Sequence, residues 1–172
     1  MHSYSQILAL GHPSIPDLLE GEVLVEEKID GSQFSFGVCD GVLFCRSKGA
    51  EIIPDAPEEM FSKAVATAQE LLPLLRDGWV YRGEFLQKPK HNTLCYDRVP
   101  EKHIILFDVD MCDQCYLSRE EKEAECQRLG LECVPLVFCG SVESFDVFKA
   151  WLDRVSVLGG SKIEGVVVKN YA

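Results

Sequence analysis

A lysine that could act as a nucleophile lies near the start of the chain, in the stretch VEEKIDGSQFSFG at residues 25–37. Lys28 ends an apolar run and comes just before the Asp30-Gly31 pair, which is typical of a turn where backbone can approach a ligand closely. The pKa of a free lysine is about 10.4, so a nucleophilic lysine must be activated by desolvation or by neighbouring cations. Taken alone, the four residues Lys28 to Gly31 fit a solvent-facing lysine before a turn better than a nucleophile, because that structural pattern is common.

Strands are predicted on both sides of Lys28, over residues 21–29 and 32–48, because β-branched and aromatic residues alternate there with other residues. The Asp40-Gly41 pair favours a hairpin turn within the second stretch. Four later apolar or aromatic runs also predict strands. They cover residues 78–87, 103–111, 133–140 and 162–172.

Three stretches carry apolar residues at helical spacing, and they are residues 57–77, 118–130 and 141–155. Pro73 should kink or end the first helix. Ser118 and Glu121 have the spacing of a capping box at the start of the second, and Gly130 should end it. The elements together predict one α+β domain over residues 1–172, with mostly antiparallel sheets and flanking helices.

The chain has 172 residues, of which 47% are hydrophobic and 26% are charged, as in an ordinary globular protein. Its net charge of −11 argues mildly against a nucleic-acid-binding surface. A local basic cluster could override that total, because salt screens charges beyond about 10 Å. No apolar run approaches the roughly 20 residues needed to cross a bilayer, and the N-terminus has no basic region, so we expect a cytoplasmic protein without a membrane partner.

The eight cysteines allow a disulfide framework, a metal site or reduced thiols. Cys112 and Cys115 have the C-x-x-C spacing of one half of a zinc site, but the second pair, Cys126 and Cys133, is more loosely spaced. The other four cysteines lie in or beside apolar stretches, where cysteine packs as a small hydrophobic residue. Reduced thiols are the favoured interpretation.

The segment Lys28-Ile29-Asp30-Gly31 is similar to motif I of the covalent nucleotidyltransferases, the superfamily of DNA ligases, RNA ligases and capping enzymes. Four more short segments resemble further motifs of that superfamily and follow in the same order: RSKG at residues 46–49, Gly83-Glu84, Phe107-Asp108, and Glu164-Gly165 with Lys169. The flanking residues resemble the ATP-dependent RNA ligases of phages and some bacteria. This resemblance covers residues 7–172, and five motifs in one order are far more specific than any single motif.

The resemblance implies a nucleotidyltransferase (adenylylation) domain with an ATP-grasp-like fold. It also implies three steps of RNA repair. The lysine attacks the α-phosphorus of ATP to give a lysyl–AMP bond and pyrophosphate, and AMP then moves to the 5′-phosphate of an RNA end. Finally a 3′-OH attacks that activated phosphate, which seals the strand and releases AMP.

Motif I would supply the nucleophile and part of the nucleotide site. The resemblance makes Lys28 the nucleophile. Backbone groups of Glu27 and Ile29 would bracket the edge of the adenine, and Asp30 and Gly31 complete the nucleotide-binding motif.

The other motifs would bind the remaining parts of ATP. The resemblance implies that Arg46 and Glu84 hold the ribose hydroxyls, Glu84 as an acceptor for two O–H donors. Phe107 would stack on the adenine, and Glu164 would help to bind Mg²⁺ or Mn²⁺, since such hard cations prefer oxygen ligands. Two further basic residues are candidates for contact with the phosphates, Lys48 and Lys169.

Each of these side chains also has an ordinary structural interpretation. Glu84 and Glu164 could be exposed carboxylates at strand ends, and Phe107 could be a core aromatic residue. Arg46 could form one half of a surface ion pair, which stabilises a protein little. The ordered set of motifs favours the functional interpretation.

A basic loop at residues 87–100 is the local candidate for contact with RNA. Its cationic or titratable residues are Lys88, Lys90, His91 and Arg98. Asn92, Thr93 and Tyr96 could hydrogen-bond to bases or stack on them. The alternative is a structured surface loop whose charges are only solvated.

The superfamily also has a motif V, in which two lysines separated by one residue contact the phosphates. No such pair follows Glu164, and the K-x-K at Lys88-Pro89-Lys90 lies far upstream. We therefore expect a domain that ends after motif IV, either as a fragment or as a short natural protein. Loss of one charge-stabilising donor can lower a rate by about 10²–10³, so weak ATP binding and poor ligation are expected.

Two alternative functions stay open at this point. Motif I does not separate an RNA ligase from a DNA ligase or a capping-type guanylyltransferase. A catalytically silent module that binds nucleotides or RNA ends is favoured by the missing motif V but disfavoured by the intact Lys28.

Overall fold

The computed structural model describes residues 3–112 and 114–170. The strands in these ranges are β1 (Val23–Lys28), β2 (Ser32–Cys39), β3 (Val42–Ser47), β4 (Glu51–Ile52), β5 (Val80–Phe85), β6 (Ile104–Cys112), β7 (Cys115–Tyr116), β8 (Glu132–Cys133), β9 (Leu136–Gly140) and β10 (Gly165–Lys169). The α-helices are α1 (Ser62–Leu71), α2 (Arg119–Leu129) and α3 (Asp146–Leu152).

The strands form two sheets. The small sheet has the order β10-β1-β9, and the large sheet has the order β4-β3-β2-β5-β6-β7, with β8 paired to β6. The β6–β8 pair is parallel, and the other pairs named here are antiparallel. The prediction of an α+β fold with mostly antiparallel sheets is confirmed.

Residues 29–31 carry the chain from the small sheet to the large sheet. β1 is the central strand of the small sheet, and β2, which follows three residues later, lies inside the large sheet. Lys28 is the last residue of β1. The candidate nucleophile therefore lies at the junction of the two sheets.

The local signals for the hairpin and the second helix are confirmed. Asp40 and Gly41 join β2 to β3 with φ values of 50° and 76°, which suit a two-residue hairpin turn. At the start of α2, the Ser118 hydroxyl accepts a hydrogen bond from the Glu121 backbone, and the Glu121 carboxylate accepts one from Ser118. Gly130 ends the helix in the left-handed conformation.

Two of the predicted helices are longer than the helices in the structure. The stretch 57–77 contains only α1 and short 3-10 turns on either side of it, because the backbone after Leu71 tightens into the turn that contains Pro73. The stretch 141–155 contains only α3, from Asp146 to Leu152. In both stretches, apolar residues at helical spacing continue beyond the residues that form helical hydrogen bonds.

The predicted strand 133–140 is divided at Pro135. β8 ends at Cys133 and pairs with β6 in the large sheet, whereas β9 begins at Leu136 and pairs with β1 in the small sheet. Proline has no N–H for a continuous ladder, so the chain changes sheets there. The final strand, predicted over 162–172, is β10, and residues 171 and 172 lie outside the described part.

Three apolar clusters stabilise these elements. The largest lies where the large sheet packs against α1 and α2, and it includes Phe34, Phe36, Leu71 and Leu129. A second contains Ile29, Leu86, Tyr96, Ile105, Val134 and Leu158. The third covers one face of the small sheet with Phe148 and Trp151 of α3. The first two clusters contain alternate residues of β6, so this strand is buried on both faces.

The structure shows no disulfide bond among the cysteines of the described residues. Within the described residues, no group of three or more His, Cys, Asp or Glu side chains is arranged to hold a metal ion. No helix in residues 3–112 and 114–170 is long and apolar enough to cross a membrane.

Candidate active site at the junction of the two sheets

The Lys28 amine and the Glu164 carboxylate form an ion pair. Lys28 Nζ lies 2.6 Å from Glu164 Oε1, and the two side chains are 42% and 33% exposed. The pair follows from the strand register, because Lys28 is opposite Gly165 in β10 and Glu164 directly precedes that residue. Motifs I and IV, which are 136 residues apart, are thus in contact.

The Asp30 side chain anchors the basic loop at residues 87–100. Its Oδ2 atom accepts hydrogen bonds from the backbone N–H groups of Thr93 and Leu94, at 2.8 and 2.7 Å. The Asp30 backbone N–H donates to the Tyr96 hydroxyl at 2.9 Å, and the Asn92 side chain donates to the Gly31 carbonyl at 2.7 Å. Asp30 therefore connects the nucleophile strand to the candidate RNA-binding loop.

Gly31 is required by close packing of backbone. A Cβ atom at this position would lie 2.9 Å from the Phe85 carbonyl oxygen and 3.0 Å from both the Glu84 and Leu86 side chains. Real Cβ contacts are not this short, so a larger residue would push β5 away from the turn. The glycine thereby keeps Glu84 next to motif I.

Glu84 is a partly buried carboxylate among charged groups. Burial raises its pKa to about 8, and the negative charges of Glu164 and Asp30 act in the same direction, whereas Lys28 and Lys48 oppose them. Glu84 therefore lies close to charged residues of motifs I and IV and of the segment after β3. Its residue pair in β2 is Gln33, close to the turn after Lys28.

Phe107 lies at a bulge in β6. Arg82 of β5 is opposite Asp108 and Gly83 is opposite Leu106, so Phe107 has no partner in β5. Bulges change the direction of a side chain next to them and are common beside active sites. The Phe107 ring packs at the edge of the second apolar cluster, next to Ile105 and Val134.

A cavity joins these side chains. It is lined by Tyr4, Ile7, Glu26, Glu27, Lys28, Ile29, Glu84, Phe107, Val134, Val167 and Lys169. The free volume is about 40 Å³, roughly the space of one water molecule. The Tyr4 ring packs edge-on against Phe107 with centroids 5.0 Å apart, and a purine would therefore need the N-terminal side of the cavity to open.

Lys169 is buried and its ammonium group is already bound within the protein. Its Nζ atom lies 2.7 Å from Glu26 Oε2 and 3.0 Å from Asp108 Oδ1, and it donates to the Phe107 carbonyl at 2.6 Å. These contacts give Lys169 a structural role, and its contact with a phosphate stays a prediction. Glu26 itself was not singled out by the motifs.

Arg46 and Lys48 belong to β3 and to the segment after it, and β2 lies between β3 and the strand that carries Glu84. Arg46 is in β3, which is separated from β5 by β2, and its Nε donates to the Ser47 carbonyl at 3.3 Å. Lys48 follows β3, and its charge lowers the pKa of Glu84. Lys48 is therefore near Glu84, whereas Arg46 lies in a strand that is two positions away from β5 in the sheet.

The basic loop contains two kinds of titratable residue. Lys88 and Lys90 are exposed. His91 Nδ1 accepts a hydrogen bond from the Gln87 N–H at 3.1 Å, so its Nε2 must donate to the Ser32 hydroxyl, 2.9 Å away. Burial lowers the pKa of His91, which suits a neutral ring that fastens the loop to β2.

Arg98 is held by a carboxylate. Its Nη1 and Nη2 atoms donate to the two oxygens of Glu132 at 2.7 and 2.9 Å, a bidentate geometry that is stronger than a single bond. Arg98 also donates to the Val157 carbonyl at 3.3 Å. These contacts support a structural role, and Arg98 is left out of the RNA-binding set proposed below.

Tyr4, Val134 and Val167 line the cavity but were missed by the sequence motifs. Val167 lies within EGVVVK at residues 164–169, where strand alternation could have placed it on the same side as Gly165 and Lys169. No sequence signal marks Tyr4 or Val134, because they reach the cavity only through the tertiary fold.

The donor groups present suit a hard divalent cation. Glu164 offers a carboxylate beside Lys28, which lines the cavity. Mg²⁺ is commonly held by one or two carboxylates, with water and substrate phosphates completing the coordination. The residues therefore fit a cation that arrives with a nucleotide.

Solved structures of an RNA ligase from Naegleria gruberi have the same fold. A Naegleria gruberi RNA ligase variant in the apo state has a TM-score of 0.76 and 19% identity, covering 97% of this chain and 52% of that one. A variant of the same enzyme with ATP and Mn has a TM-score of 0.71, 21% identity and coverages of 92% and 48%. The enzyme with PPi has a TM-score of 0.71, 20% identity and coverages of 92% and 49%.

The present chain spans about half the length of these solved structures. At these identities, the similarity shows the fold alone. A comparison with curated protein sequences found no match. The model of the RNA ligase family matches residues 21–172, which include the sheet junction and every strand described above. The chain therefore belongs to the RNA ligase family.

Proposed function

We propose that this protein is an ATP-dependent RNA ligase whose residues 1–172 act as one nucleotidyltransferase unit. The observation that carries the proposal is the contact between Lys28 and Glu164, which joins two distant motifs beside a cavity that Lys28 lines together with Glu84 and Phe107. Membership of the RNA ligase family supports it. The similar fold of an RNA ligase solved with ATP and Mn supports ATP as the nucleotide.

Adenine would bind between Phe107 and Val167, against the edge of β1. The Glu27 N–H donates to the Pro135 carbonyl at 3.0 Å, and Pro135 directly precedes β9. The backbone N–H and C=O groups of Glu27 therefore point to the β9 side of β1, just beyond the end of β9. Because strand residues alternate in direction, the Ile29 N–H faces the same side. A carbonyl acceptor and an N–H donor two residues apart match the N6 amino group and N1 atom of adenine, whereas guanine presents the opposite pattern.

Lys28 would attack the α-phosphorus with the lone pair of its neutral amine. An N–P bond forms, the bond between the α-phosphorus and the bridging oxygen breaks, and pyrophosphate leaves with the electron pair. The amine must lose one proton before the attack and another after it, to Glu164 or to water. A divalent cation, Mg²⁺ or Mn²⁺, bound by Glu164 would supply positive charge to the phosphates.

RNA with a 5′-phosphate and a 3′-OH would be the second substrate. Lys88 and Lys90 are exposed on the loop that Asp30 anchors, so they can contact phosphates near the nucleophile. Lys48 near Glu84 extends this basic surface toward the cavity. The ribose hydroxyls of ATP would then be held by Glu84, with Arg46 behind it.

A cytoplasmic location in a bacterial cell or a phage-infected host, where cysteines are kept reduced, completes the proposal. The repair of RNA breaks is the corresponding biological role.

The test is transfer of labelled AMP to the protein. With α-labelled ATP and Mg²⁺ or Mn²⁺, we expect a covalent label that Lys28→Ala abolishes and that Lys63→Ala, at an exposed position of α1, leaves unchanged. Nicked duplexes with RNA or DNA at the break should separate the ligase classes, with the RNA nick sealed faster. A label from GTP alone would favour a capping-type enzyme, and the absence of any label would favour a nucleotide-binding module.

A further inference from the structure

A buried group of charges lies behind the candidate adenine site. Glu26, which is 1% exposed and two residues before Lys28, contacts three cations. Arg119 Nη1 and Lys122 Nζ lie 2.7 and 2.6 Å from its Oε1 atom, and Lys169 Nζ lies 2.7 Å from its Oε2 atom. The cations come from α2 and β10, so one carboxylate joins the nucleophile strand to both elements.

The two lysines of this group also bind the backbone of Phe107. Lys122 Nζ and Lys169 Nζ donate to the Phe107 carbonyl at 2.7 and 2.6 Å. Phe107 is the bulged residue of β6, which has no partner in β5. A buried carbonyl without a partner is costly, so the bulge is stabilised by the two ammonium groups. Lys169 Nζ also lies 5.8 Å from the centre of the Phe107 ring.

Glu26 is needed to keep those ammonium groups in place. Burial would raise its pKa, but the charges of Lys169 and Lys122 outweigh that effect and lower it, so the carboxylate stays ionised. Without its negative charge, three buried cations would remain with insufficient compensation, and unpaired buried charges are strongly unfavourable. The lysines would then turn toward water or other anions and release the Phe107 carbonyl.

The geometry points to Glu26 as a positioning residue for the base-stacking platform. By holding Lys122 and Lys169 on the Phe107 carbonyl, it fixes the bulge and hence the height and tilt of the Phe107 ring in the cavity. Glu26 acts through Phe107 and touches no reacting atom. This role rests on the proposed nucleotide-binding function, and it concerns recognition of the base alone.

The experiment measures equilibrium binding in a Lys28→Ala background, where no covalent step occurs. Dissociation constants are compared for ATP and for inorganic tripolyphosphate, which lacks a base. Stacking of a base on an aromatic ring changes affinity by about 5- to 150-fold. We expect Glu26→Gln to weaken ATP binding by about 5-fold or more and to leave tripolyphosphate binding within about 2-fold.

Glu125→Gln is the matched control. Glu125 is also a buried carboxylate, and it lies on α2, the helix that carries Arg119 and Lys122. There it pairs with Arg76 and Arg128 and accepts a hydrogen bond from Tyr81. Its loss should lower stability but leave ATP affinity within about 2-fold. Equal weakening of ATP binding by Glu26→Gln and Glu125→Gln would mean that general destabilisation is the cause, and would overturn the inference.

Lys122→Met provides an independent arm if Glu26→Gln folds poorly. It removes one donor from the Phe107 carbonyl while Glu26 keeps two cations. The binding of ATP should therefore weaken, whereas the binding of tripolyphosphate should not. The double variant Glu26→Gln/Lys122→Met should be more stable than Glu26→Gln, because fewer buried charges are left uncompensated. Unchanged ATP affinity in Lys122→Met would overturn the role of the carbonyl contact. If the Lys28→Ala protein binds tripolyphosphate but not ATP, the proposed ATP site fails, and the inference fails with it.

Discussion

The Lys28 ammonium lies 2.6 Å from Glu164 in the structure, so the candidate nucleophile is held as one half of an ion pair. The amine that would attack phosphorus is therefore occupied by a hydrogen bond to a carboxylate. A divalent cation that binds the Glu164 carboxylate would release the amine from this contact. Nucleotide and cation binding at this pair would therefore affect the reactivity of the amine as well as the position of ATP.

Glu164→Ala should greatly slow formation of the lysyl–AMP bond. Loss of the carboxylate would remove the proposed ligand for the divalent cation, and loss of one such electrostatic contribution lowers rates by about 10²-fold or more. Single-turnover labelling over a series of Mn²⁺ concentrations measures the effect. Glu143→Ala, at an exposed position before α3, is the control. A faster reaction in Glu164→Ala would show that release of the ion pair matters more than cation binding.

Glu84 should make the folded protein less stable as the pH rises through about 8. Its pKa is about 8 in the folded state and about 4.5 in the unfolded state, so between these values the folded state binds the extra proton. The stabilising contribution is complete below about pH 4.5 and is lost as the pH rises through 8.

Denaturant unfolding of the wild type and of Glu84→Gln between pH 5 and 9 measures this contribution. The neutral amide cannot ionise, so the variant should gain stability relative to the wild type as the pH increases. Glu58→Gln, an exposed position before α1, should show no such trend. A constant difference between wild type and Glu84→Gln across this range would contradict the raised pKa.

Asp30→Ala should release the basic loop. The carboxylate accepts hydrogen bonds from the Thr93 and Leu94 backbone, and bonds to a charged acceptor contribute about 1.5–3 kcal/mol each. We expect a loss of about 2 kcal/mol or more in the free energy of unfolding, and faster amide exchange at both positions. Asp55→Ala, in an exposed turn, should change stability by less than about 0.5 kcal/mol. Unchanged exchange at both amides would contradict the anchoring role.

Replacing Lys88 and Lys90 together by alanine should weaken binding of RNA ends and reduce its salt dependence. Each lysine that neutralises a phosphate contributes about one unit to the slope of log affinity against log salt concentration. Fluorescence anisotropy with a nicked RNA duplex at several salt concentrations gives this slope, which should fall by about one to two units. Lys63→Ala should leave it unchanged, and an unchanged slope in the double variant would remove the loop from the RNA site.

The sequence by itself determined which segments are candidates for the chemistry and most of the elements that position them. Lys28, Glu84, Phe107 and Glu164 were identified from short motifs, since each motif depends on local residue types. The hairpin at Asp40-Gly41 and the capped helix α2 were also predictable, because their signals lie within a few residues.

Only the tertiary structure decided the partners of the charged residues. The amino-acid sequence does not show that Arg98 binds Glu132 or that Lys169 binds Glu26, because those partners come from elements far apart in sequence. The division of the strand at Pro135 likewise depends on two different sheets competing for its halves. Buried charges must be compensated wherever the fold brings opposite charges together, so their roles are set by packing and cannot be read from local patterns.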